Sequence, residues 1–124
     1  MVSPPLSTKF RQAAFVYLHV ALLYEAAAYA MLGRGLLPTR FGPAWIWLVL
    51  GAVVAGGIFV GLLRWQNTWF ARGVWAVHAL RLPALIKGAF FAGADARMPS
   101  DFYIMAIVVV MINLWMLARA GWDL

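Results

Sequence analysis

The chain has no cysteine and only four acids in 124 residues. The first absence excludes disulfides, Fe–S clusters and thiol chemistry. The second leaves no pair of carboxylates at catalytic spacing, and Glu25 is the only acid inside an apolar run. Walker A, Gly-x-Ser-x-Gly and His-Glu-x-x-His sequences are missing as well, and with them the usual signatures of nucleotide hydrolysis, acyl transfer and zinc proteolysis. Charged residues make up 11% of the chain, against roughly 25% in a soluble domain.

What the chain has in excess is apolar sequence. Hydrophobic residues are 65% of the total, and most of the length is taken up by apolar runs of about 20 residues, enough to cross a hydrocarbon core of roughly 30 Å. The expectation is an all-α integral membrane protein forming a single domain over 1–124, with four transmembrane helices over 10–32, 44–63, 69–92 and 102–117. The first run has a positive flank like that of a signal peptide. Its length and Glu25 make it a retained span. The third run is interrupted by His78, Arg81, Pro83 and Lys87, so the alternative is three spans plus a kinked helix in the interface. Pro83 should kink that run near Ala79.

Ten Lys and Arg give a net charge of +6 and sit mostly at the ends of apolar runs. That distribution fits anionic lipid headgroups rather than nucleic acid. With four spans, Lys9, Arg11, Arg64, Arg72 and Arg119 share one side, against Arg34, Arg40 and Arg97 on the other. The positive-inside rule then places both termini in the cytoplasm, and a bacterial inner membrane is the expected location.

Within the first run Ala14, Tyr17, Ala21, Tyr24 and Ala28 recur at helical spacing and form a small-and-aromatic stripe with Glu25 at its edge. In the second run Gly51 with Ala55, Ala52 with Gly56, and Gly57 with Gly61 are small-xxx-small pairs suited to close helix packing in lipid. Connectors are expected after Gly33 and after Leu63 and over 93–100, with Ser100 or Asp101 capping the last helix. Asn113 is the only strongly polar side chain of that helix and is expected to make an interhelical hydrogen bond.

Three constellations have chemical potential. His19 lies nine residues past Phe10 and His78 nine past Trp69, so both sit about 13 to 14 Å into the membrane. Two imidazoles at one depth suit axial ligation of a b-type haem, with Arg81 on a propionate. In layout alone the chain is similar to small membrane anchors of respiratory complexes, an analogy of architecture. Tyr17, Tyr24, Tyr29 and the seven tryptophans extend that reading to a quinone, against plain packing and interface belts. Glu25, counted the same way, falls between Arg81 and Lys87, about 4.5 Å from each along the membrane normal, which suits an intramembrane ion pair.

The leading expectation is a non-catalytic accessory subunit of a larger membrane complex, packing against lipids and other integral membrane subunits. The alternatives are an electron-transfer anchor using His19 and His78, and a small homo-oligomeric transporter with Glu25 as its coupling carboxylate. Topology comes first. Reporters fused to either terminus are expected to give a cytoplasmic signal, and an external C-terminus would leave three spans and remove the depth matches.

Overall fold

The computed structural model describes residues 4–36, 43–91 and 98–124 and is helical throughout its regular elements. Helix α1 covers Leu6–Gly33, α2 Ala44–Trp65, α3 Thr68–Ala79, α4 Leu82–Ile86 and α5 Ser100–Trp122, with a π-helical turn, Lys87–Phe91, continuing α4. Four helical segments, Leu6–Gly33, Trp45–Trp65, Thr68–Phe91 and Ser100–Trp122, are long and apolar enough to cross a membrane. The expected loop residues 93–97 lie outside the described residues.

Helix boundaries follow local chemistry. The first helix begins at Leu6 rather than Phe10, because Pro5 takes an extended conformation and its carbonyl accepts from the amides of Thr8 and Lys9. It stops at Gly33, and Gly35 carries the chain away at φ +79°, a conformation natural to glycine. The turn between α2 and α3 is only two residues long. Gln66 is left-handed, and the Asn67 carboxamide oxygen accepts from the amides of Trp69 at 2.8 Å and Phe70 at 3.4 Å, a side-chain N-cap. Neither Ser100 nor Asp101 caps α5. Pro99 precedes the helix, and its carbonyl takes the amides of Phe102 and Tyr103. The last helix also runs to Trp122, past the expected end at Leu117.

Pro83 breaks the third segment where expected. Helix α3 ends at Ala79, Leu80 and Arg81 form a turn, and α4 restarts with the proline in its first turn, where a missing N–H costs nothing. The broken segment still runs the length of α5. At one end Arg72 and Ala71 lie against Gly121; at the other Gly88 lies against the Tyr103 ring. These contacts match about 24 Å of one segment with about 27 Å of the other, antiparallel. The third segment therefore runs along α5 rather than across it.

Helix α1 packs on α2 and α5, and α3 packs on α5, whereas α2 and α3 touch little. Small residues let the helices approach closely. Ala13, Ala14, Ala71 and Ala120 are buried together with Phe10, Leu62 and Leu117 at the end that carries both termini. Polar contacts close the same end. Lys9 is 1% exposed and donates to Asp123 at 2.7 Å, Arg119 donates to Gln12 at 3.1 Å, and Arg72 Nε donates to the Gly121 carbonyl at 2.9 Å. The Arg72 guanidinium also lies over Trp69 and Trp122, 4.8 and 5.2 Å from the ring centroids. Lys9, expected simply to mark the water side, is a buried part of this seam.

Of the predicted packing glycines on α2, Gly51 meets α1 and Gly61 meets the Phe70 ring. Gly57 is different: it is exposed with open space beside it, because it lies on the outward face of the helix. Ala55 packs against the core.

The seam makes a testable statement. Asp123→Ala strands the buried Lys9 ammonium and is expected to cost about 1–3 kcal/mol of thermal stability in detergent. Adding Lys9→Met should recover most of that loss, since an apolar replacement leaves no buried charge. Failure of the second change to restore stability would show that the pair is not what holds this end.

Candidate functional site

Beyond the sealed end the helices part around a cavity of about 320 Å³. Its walls come from α1, α2, α5 and the break after α3, and along α1 it extends from Tyr17 to Ala28, about 16 Å. The polar and ionisable lining side chains include Tyr17, Tyr24 and Glu25 from α1, His78 and Arg81 around the break, and Asn113 from α5. The rest of the wall is mainly apolar and aromatic, including Ala21, Val54 and Val110.

The floor is one hydrogen bond. The Tyr17 hydroxyl and His78 Nε2 are 2.9 Å apart, with their rings edge to face at 5.3 Å. Tyr17 belongs both to the sealed core and to the cavity lining, so this pair marks where one gives way to the other. His78 Nδ1 and Asn113 Oδ1 are buried polar atoms without a hydrogen-bond partner. Asn113 is only 4% exposed, and the interhelical bond expected of its carboxamide is not made. Such groups are uncommon in native structures because each carries an uncompensated desolvation cost.

Glu25 is seated against α2. One of its carboxylate oxygens lies 2.7 Å from where a Cβ on residue 51 would stand, so Gly51 is the residue that lets the carboxylate approach the helix. Arg81 lies over Tyr24, its guanidinium carbon 5.2 Å from that ring's centroid. The expected ion pair is not closed. Glu25 and Arg81 share the cavity, but the one salt bridge among the described residues is Lys9 with Asp123. Lys87 is exposed at the start of the π-helical turn and does not line the cavity.

The two histidines are not brought together. His78 meets Tyr17, two residues before His19 along α1. Two residues along a helix turn the side chain by about 200°. His19 accordingly points out of the bundle, exposed, with Nδ1 2.6 Å from the Phe15 carbonyl oxygen. A haem held between His19 and His78 of one chain is therefore not what this arrangement builds. Among the described residues no three His, Asp or Glu side chains gather as metal ligands.

Tyr17 and Tyr24 were legible as part of the packing stripe but not as cavity walls. The only sequence signal was their seven-residue spacing beside Glu25, which puts all three near one face. No protein-family model, curated protein or solved structure matches the chain. What defines it is the architecture: an antiparallel bundle of four apolar helical segments, sealed at one end by small residues and hollow and polar over the other part.

The seat at Gly51 is open to test. Gly51→Ala should leave the fold stable, since alanine favours a helix by about 1 kcal/mol over glycine and only the tip of a flexible side chain has to move. The displaced carboxylate is expected to react several-fold faster with a hydrophobic carbodiimide. Gly56→Ala, with open space around it, should leave that rate unchanged.

Proposed function

We propose that the protein is an integral membrane protein that binds a small polar solute within its bundle and carries it across the bilayer, with Glu25 as the coupling carboxylate and both termini in the cytoplasm. The observation that supports this reading is the convergence of Tyr17, Glu25, His78, Arg81 and Asn113 on one cavity. Ionisable groups in hydrocarbon are costly and mark substrate or ion pathways when they face a bundle interior. A volume of about 320 Å³ lies at the lower end of small-ligand sites, which run from about 300 to 1,000 Å³.

The backbone gives a second support. The third segment is interrupted at Leu80 and Arg81, and Arg81 lines the cavity. Broken helices at membrane depth are tolerated where they are buried in protein or border a cavity, and carriers place their substrates at such breaks. The π-helical turn that follows is a rare form met frequently at functional sites.

Scaffolding in a larger complex was the expectation from the scarcity of polar residues. It accounts for the outward apolar faces and leaves the cavity without a purpose, since a scaffold gains nothing from unpaired polar atoms in its interior. The electron-transfer reading loses its second axial ligand when His19 faces outward.

The test uses the purified chain alone in proteoliposomes, exposed to a defined mixture of amino acids, amines, carboxylates and sugars, with vesicle contents read by mass spectrometry. Saturable accumulation of at least one solute is expected, reduced about tenfold or more by Glu25→Gln. No accumulation above protein-free vesicles would overturn the carrier reading, and a stoichiometric membrane subunit in the native purification would restore the scaffold.

A further inference from the structure

We propose that the cavity recognises a zwitterion: a small molecule bearing an ammonium and a carboxylate close together, with a short apolar substituent. The inference rests on the solute-carrying reading above and names its substrate class.

Charge is the first ground. Glu25 and Arg81 line the same cavity without closing an ion pair, and neither makes a side-chain hydrogen bond among the described residues. A guanidinium stays protonated in proteins, so the Arg81 charge is permanent. In a low-dielectric interior a solute with net charge satisfies one of these two groups and faces repulsion from the other. A zwitterion satisfies both and adds no net charge. Its carboxylate fits the fork of Arg81, which the stacking on Tyr24 holds in place, and its ammonium fits the carboxylate seated on Gly51.

Size and wall chemistry are the second. At about 30 Å³ per water the cavity holds about ten water volumes. That suits an amino-acid-sized molecule, and Ala21, Val54 and Val110 offer it an apolar wall.

Three isosteric probes separate the charges: L-leucine, 3-methylbutylamine, which lacks the carboxylate, and 4-methylpentanoate, which lacks the ammonium. Equilibrium binding of radiolabelled leucine to the purified full chain is expected to be saturable, with both isosteres competing about tenfold or more weakly. Arg81→Gln should let the amine compete as well as leucine, and Glu25→Gln should do the same for the acid. That exchange of preference is a change a misfolded variant cannot produce. Equal competition by the amine or the acid in the unaltered protein overturns the zwitterion and leaves a carrier of singly charged solutes. If leucine does not bind while the mixture assay shows uptake only of solutes that are not zwitterions, the substrate class alone falls. If both fail, the carrier reading falls with it.

Discussion

The hydrogen bond between Tyr17 and His78 ties the third segment to the first at the floor of the cavity. With those two side chains joined, Arg81, one turn beyond His78, lies over Tyr24, two turns beyond Tyr17. Glu25 is the next residue along α1. One neutral contact thus brings two charged side chains into a shared cavity without pairing them.

The cavity exists because the bundle packs unevenly. Toward the termini alanines let α1, α3 and α5 approach closely, and Lys9, Gln12, Arg72, Arg119 and Asp123 tie the ends together. Beyond Tyr17 the facing residues no longer fill the space between α1, α2 and α5. Pro83 adds to this by ending α3 at Ala79 and turning the chain at Arg81, so a charged side chain emerges at an irregular part of the backbone. Gly51 contributes by omission, since any side chain there would meet the Glu25 carboxylate.

This division suits a site that must be rigid at its base and accessible to a solute elsewhere. The sealed end is held by ion pairing, aromatic stacking and close backbone approach together. The far part depends on a five-residue helix and a π-helical turn, with Gly88 lying against the Tyr103 ring. Glu25 and Arg81 share the cavity without an ion pair, and a bound solute is the partner the zwitterion proposal gives them.

Four apolar segments long enough to span a membrane, the bend before Pro83 and the spacing of the polar residues along each helix were all determined by sequence alone. Length and spacing follow from a constant rise of 1.5 Å per residue, which needs no knowledge of neighbours. Rotation about each helix axis does not. These helices are apolar nearly all round, so no stripe of polar residues reveals which face turns inward. Tertiary packing decided that Tyr17 and not His19 meets His78, that Gly51 and not Gly57 faces a neighbour, and that Arg81 stacks on Tyr24 without reaching Glu25. It also decided that Lys9 would be buried, because its partner Asp123 lies 114 residues away and only the folded bundle brings them together.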